Sequence, residues 1–179
     1  SNNLVSFDDV ASALLDEKES EVRAYTIRLL AESNDPKLVS KLVNILENDV
    51  DLTPRLEATT LLGEFLLLGE LEELPEKLKR QVEDALMAVV SSDERASLRK
   101  LALEAVGFSS RPEVETLIRS ALNRSDPTWI ASALIAMGRS SDSQWNEQVV
   151  SMLLNEDPRI RLAAVQAAAT LGGAARELL

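Results

Sequence analysis

The stretch Asp157-Pro158-Arg159-Ile160-Arg161-Leu162-Ala163-Ala164 decides how this chain is read, because its pattern returns four more times upstream. Asp followed by Pro is a helix start: the carboxylate caps backbone N–H groups, and Pro has the φ of a first helical residue. Aligned on Ile160, the equivalent anchors are Val22, Pro54, Leu98 and Trp129. One residue on stand Arg23, Arg55, Arg99, Ile130 and Arg161. Four on come Thr26, Ala58, Ala102, Ala133 and Ala164, and five on Ile27, Thr59, Leu103, Leu134 and Val165. Eight on come Leu30, Leu62, Val106, Met137 and Ala168, then Ala31, Gly63, Gly107, Gly138 and Ala169. Offsets of 0, 4, 5 and 8 share one helical face, and the small residue at the fourth admits a close neighbour. The Gly nine on is expected to terminate each helix in a left-handed conformation.

The anchors are 32, 44, 31 and 31 residues apart. A period near 31 holds two helices of about 13 residues with short turns. The start signals Thr53-Pro54, Asp126-Pro127 and Asp157-Pro158 open the first helices. Second helices are expected over 36–48, after Asp35-Pro36, and over 75–91, 112–124 and 142–155. Their apolar stripes run through Leu38, Val39, Leu42, Val43 and Leu46 in the earliest, and through Trp145, Val149, Met152 and Leu153 in the last. Residues 7–16 read as a second helix without its first, and 174–179 as the start of another. Gly172-Gly173 reads as a helix stop. No alternating β-branched run suggests a strand.

The repeated unit resembles the HEAT repeat, in the short bacterial form shared with phycobilin lyases: Asp-Pro, any residue, an aliphatic, Arg, two residues, Ala, then a Leu-Gly end. Asp157 to Ala164 carries it almost fully, and Ser97-Leu98-Arg99-Lys100-Leu101-Ala102-Leu103-Glu104-Ala105-Val106-Gly107 carries it too. The likeness covers roughly residues 19–172. It implies an all-α protein, a right-handed α-solenoid of about five HEAT-like helical pairs forming a single domain over 1–179. Residues 1–3 are expected to be a tag or cleavage scar, and the chain a fragment of a longer array or protein. The fourth copy departs from the pattern at Ile130, and the second carries about 12 extra residues, 64–75.

Composition bounds the function. The chain has 179 residues, 30 acidic and 19 basic, for a net charge of −11. Such a balance argues against nucleic acid, whose phosphates need a positive surface. Residues 1–89 hold 9 basic and 19 acidic side chains, so a basic partner surface would be drawn to that half. Aromatics make up only 3% of residues, which suits thin helix-on-helix layers. Without Cys or His there is no thiolate chemistry, no His-assisted nucleophile and no His or Cys zinc site. A Cys-free chain is compatible with a reducing cytoplasm, the expected location. No apolar run approaches the roughly 20 residues of a membrane span.

What remains is a non-catalytic protein–protein interaction scaffold with no cofactor and no metal, using second helices that line a concave face. Its expected surface comprises Lys41, Asn44, Arg80, Glu83, Arg119 and Glu147. Phe65, Leu67, Glu70 and Glu72 of the insertion join it if that segment is an apolar patch with an acidic rim, and otherwise the insertion extends the core. Arg23, Arg55, Arg99 and Arg161 are expected to form a structural ladder, with Glu19, Asp51, Asp93 and Asp157 pairing with them or capping helices. Capping is likewise expected of Asp49 and Asp51, and of Ser109, Ser110, Ser140 and Ser141; Trp129 and Trp145 occupy core positions. The resemblance implies an alternative, an accessory subunit like a phycobilin lyase, and a regulatory module of a larger protein is a third reading.

Overall fold

The computed structural model describes residues 7–175, and the expected scar at 1–3 and most of the helix expected at 174–179 lie outside them. Ten α-helices follow in order: α1 (Phe7–Leu14), α2 (Ser20–Leu29), α3 (Leu38–Asn48), α4 (Leu52–Glu70), α5 (Glu76–Val90), α6 (Ala96–Val106), α7 (Glu113–Leu122), α8 (Pro127–Ser140), α9 (Asn146–Met152) and α10 (Pro158–Ala175). Short 3₁₀ turns extend α2 and precede α9. No strand occurs among the described residues, and no helix there is long and apolar enough to cross a membrane. The protein is all-α.

The even-numbered helices form a continuous seam, with α2 on α4, α4 on α6, α6 on α8 and α8 on α10. Each odd-numbered helix lies mainly against the even-numbered helix that follows it. The odd-numbered helices approach one another far less, with α3 on α5 the main contact. Between these two rows runs one core, including Ile27, Leu42, Leu62, Leu86, Leu103, Ile118, Leu134 and Val149. Trp129 and Trp145 are buried in it, as their register requires.

None of the seam glycines ends a helix in a left-handed conformation. Gly63 lies inside α4, Gly138 inside α8, and Gly107, which caps α6, is right-handed at φ −55°. Helix α10 likewise runs through Gly172-Gly173 to Ala175. Their role is close approach. A β-carbon on Gly107 would lie 2.7 Å from Ala136 Cα, and one on Gly138 would lie 2.8 Å from Ala167 Cα. One on Gly63 would lie 3.1 Å from Ala105 Cβ. Each Gly, nine residues after its anchor, thus meets the Ala seven after the next anchor. Left-handed conformations fall instead on Glu72 (φ 62°) and Ser141 (φ 52°).

Helix starts divide. Asp126 and Asp157 cap α8 and α10 as expected, accepting the N–H of Thr128 and Arg159 at 2.8 Å. Thr53-Pro54 does not open α4, which begins at Leu52 after Asp51, and Asp51 makes no side-chain cap. Asp49 and Asp51 instead hold Arg23. Its Nε and Nη2 donate to the two Asp49 oxygens at 2.8 Å, and Nη2 also reaches Asp51 at 3.2 Å. Nη1 donates to the Glu17 and Lys18 carbonyls. Arg55 bonds the Leu46 carbonyl and both Glu94 oxygens, Arg99 the Val90 carbonyl, and Arg161 the Asn155 and Glu156 carbonyls. Each of these cations therefore lies at the carbonyl end of the preceding helix or its turn, where the helix dipole favours it. Asp157 pairs with Arg159 rather than Arg161. In the fourth copy, where Ile130 replaces Arg, Trp129 lies between Arg99 at 5.2 Å and Arg124 at 4.1 Å.

The insertion lengthens α4 and adds to the core. Phe65 and Leu66 are buried, and Leu74 tucks in after the turn. The turn closes with Glu72 N–H donating to the Gly69 carbonyl and Glu73 N–H to the Leu68 carbonyl, a helix stop built on a left-handed residue.

Candidate functional site: grooves between the odd-numbered helices

Because the odd-numbered helices are spaced more widely, open grooves lie between them. One of about 410 Å³ separates α1 from α3, with Ser12, Asp35, Leu38 and Lys41 on its walls. Another, of about 240 Å³, lies between α7 and the turn leading into α9, against Ile118 and Trp145. A third runs between α5 and α7 in two adjoining parts. Its apolar part, about 520 Å³, is walled by Met87, Ala88, Thr116 and Leu117. The polar part, about 580 Å³, is walled by Glu76, Lys79, Arg80, Glu83, Asp84, Arg111 and Glu113 among others. Four carboxylates there face three cations, leaving a slight negative excess.

Arg111 stands between the two parts. It bonds Asp84 at 2.6 Å and Glu113 at 2.8 Å, and lies 3.7 Å from Glu83. Hydrogen bonds to Glu113 and Asp84 raise its pKa further, and its charge holds the Glu113 carboxyl below the usual range. Glu83 is buried, contrary to the outward position expected from its helix register. It accepts a 2.6 Å hydrogen bond from the Ser109 hydroxyl, which also receives the Arg111 N–H at 3.1 Å. The α6–α7 turn leans over α5 at this point, and the sequence of α5 alone carries no sign of it. Ser109→Ala is expected to destabilise the chain by about 1–2 kcal/mol, since a buried carboxylate loses its hydroxyl donor. Urea unfolding of the two proteins checks this.

Phe65, expected at the surface, is also in the core at 1% exposed. Leu67 is half-buried, and Glu72 is exposed in the turn after α4. Glu70 is half-buried and bonds Lys79 at 3.0 Å and the Ser110 N–H at 3.0 Å. Burial raises its pKa, but those two donors more than offset it and leave the carboxyl below its ordinary value. The insertion is thereby tied to α5 and to the turn before α7.

The other expected surface residues are exposed on odd-numbered helices. Lys41 donates to the Ser12 hydroxyl across the α1–α3 groove. Asn44 accepts from Asn48, Arg80 pairs with Glu76 at 3.4 Å, and Glu147 is exposed on α9. Arg119 pairs with Glu115 at 2.8 Å and lies 4.8 Å over the Trp145 ring. They are spread along the row and do not converge on one point. The residues that do converge, Asp84, Met87, Ala88, Arg111, Glu113, Thr116 and Leu117, were not singled out from sequence. A signal for them exists: 84, 87 and 88 form a stripe at helical spacing on α5, and 113, 116 and 117 a second on α7. What sequence does not give is that these two stripes face each other.

No family model matches the chain, and no curated protein sequence matches it.

Proposed function

We propose that this chain is a non-catalytic protein-binding scaffold, a right-handed α-solenoid of five HEAT-like helical pairs that presents the grooves between its second helices to a partner. The single observation behind this reading is the row of open grooves along that face, the one between α5 and α7 having an apolar slot beside charged walls. Ligand-binding clefts commonly combine a largely apolar lining with a few placed polar groups. The partner we infer is a protein segment with an apolar side chain for the Met87–Leu117 slot and a neighbouring Lys or Arg for Asp84 and Glu113. The acidic N-terminal half adds long-range attraction for a basic surface. We place the partner on the face lined by the second helices, the concave face of the solenoid in this reading.

Selection of a displayed peptide library on the intact chain tests this. Selected peptides are expected to pair an apolar residue with Lys or Arg. They should lose at least about tenfold in affinity to Ala88→Arg, in which an exposed groove residue becomes a bulky cation, while the circular dichroism spectrum is unchanged. Failure to select any peptide, or binders indifferent to Ala88→Arg and Arg119→Glu, would sink the reading.

A further inference from the structure

The two ends of the helix row carry faces that are buried everywhere between them. Five residues after the anchor, Ile27, Thr59, Leu103 and Leu134 are at most 1% exposed, on the same side as the offset-nine glycines that meet the next even-numbered helix. The equivalent Val165 in α10 is 55% exposed, with Leu162 beside it at 61%. Seven residues after the anchor, Leu61, Ala105, Ala136 and Ala167 are buried against the preceding even-numbered helix. Here the equivalent is Leu29 in α2, 49% exposed, with Tyr25 at 59%. The outer face of α10 is thus the forward half of a seam whose backward half is the outer face of α2.

The charges repeat the same register. Arg23 bonds the carbonyls five and four residues before its own anchor, and turns its remaining N–H groups to Asp49 and Asp51. Those acids lie five and three residues before the next anchor. Arg161 bonds its own two equivalent carbonyls, those of Asn155 and Glu156. No carboxylate pairs with it among the described residues. Glu17 and Glu19, five and three residues before the first anchor, are exposed in the turn between α1 and α2. Val10 on α1 is 44% exposed as well.

We infer that a second copy of this chain docks head to tail, its α1 and α2 continuing the row beyond α10. Val165 and Leu162 pack against Leu29 and Tyr25 of that copy, and Arg161 binds its Glu17 and Glu19. The contact joins unlike ends, so it adds copies one after another instead of stopping at a symmetric dimer.

Sedimentation velocity over concentrations up to about 1 mM, the weak end of specific contacts, tests this. The average mass of the unmodified chain is expected to rise with concentration beyond a dimer. Val165→Asp blocks one end and Leu29→Asp the other. Both replace exposed residues, and each variant alone should stay monomeric. Mixed together they retain one compatible pair of ends, and the mixture should form a dimer and stop there. Arg161→Glu should weaken the association by about three- to tenfold, and mixing it with Glu17→Arg/Glu19→Arg should restore it. A chain that remains monomeric throughout overturns the proposal. So does an oligomer that Val165→Asp and Leu29→Asp each retain.

Discussion

Gly107→Ala lowers the stability of the chain by about 2 kcal/mol, although Ala is the better helix former by about 1 kcal/mol. The reason lies in the next helix. The added methyl would sit 2.7 Å from Ala136 Cα and 2.8 Å from the Ala136 carbonyl oxygen, and backbone cannot swing aside as a side-chain tip does. The α6–α8 seam has to open, and α8 carries the buried residues Trp129, Leu134 and Met137 with it. Gly138→Ala behaves alike, because it meets Ala167 Cα at 2.8 Å. Gly63→Ala is expected to fall within about 1 kcal/mol of neutral, since its nearest neighbour, the Ala105 β-carbon, is at 3.1 Å and propensity offsets the crowding. Gly172→Ala meets nothing within 4 Å in helical backbone, and should stabilise by about 0.5 kcal/mol. Urea midpoints for the four variants check the series. A uniform gain across all four would show that the glycines serve no close approach.

Arg23→Ala is the second large loss, about 3 kcal/mol. The substitution strips five hydrogen bonds at once and leaves Asp49, whose side chain is 6% exposed, without its cation. Arg23→Lys should recover only part of this, because an ammonium cannot span both Asp49 oxygens and two carbonyls together. A double-mutant cycle with Asp49→Asn is expected to give a coupling of about 2 kcal/mol. The pH dependence follows from the same pair. Burial raises the Asp49 pKa, but the Arg23 hydrogen bond and the Asp51 N–H outweigh it and hold the carboxyl below its ordinary 3.8. A carboxyl lowered on folding stabilises at neutral pH, and that contribution is lost as pH falls through its folded value. Glu94 beside Arg55, and Asp157 beside Arg159 at a pKa of about 2, act in the same direction. Glu104 opposes them, since burial raises its pKa and the cost of ionising it is relieved as pH falls. Acid titrations of the parent and Arg23→Ala should therefore draw together only as pH falls through the folded Asp49 value, which lies below 3.8, and not before it. A stability difference that persists unchanged into strong acid would assign the loss to packing instead.

How the chain folds was largely written in its periodicity. Apolar spacing placed the helices within a few residues, because a 3.6-residue period with a buried face leaves few other solutions. The Asp-Pro starts of α8 and α10 were legible for a local reason: the cap and the N–H it accepts are two residues apart. The offset-nine glycines are ambiguous in sequence because two different pressures select the same residue type. A helix end needs Gly for its left-handed backbone, and a tight seam needs it for its missing β-carbon. Only the position of Ala136 and Ala167 on the neighbouring helices separates these.

The same division runs through the candidate site. Lys41, Asn44, Arg80, Arg119 and Glu147 were recognisable as exposed, since exposure on a helix follows from its own apolar stripe. Glu83 and Phe65 were not recognisable as buried, because what covers them comes from elsewhere in the chain: Ser109 and Arg111 fold over α5, and the lengthened α4 turns Phe65 into the core. Sequence by itself determined the helices, their five-fold register and the chemistry that cannot occur without His or Cys. Tertiary structure alone decided which side of the row is tight and which is open, where Arg111 divides the groove, and which faces are left uncovered at the ends. Those features depend on distances between residues that are remote in sequence, such as Gly63 and Ala105 or Ser109 and Glu83, and no local period records them.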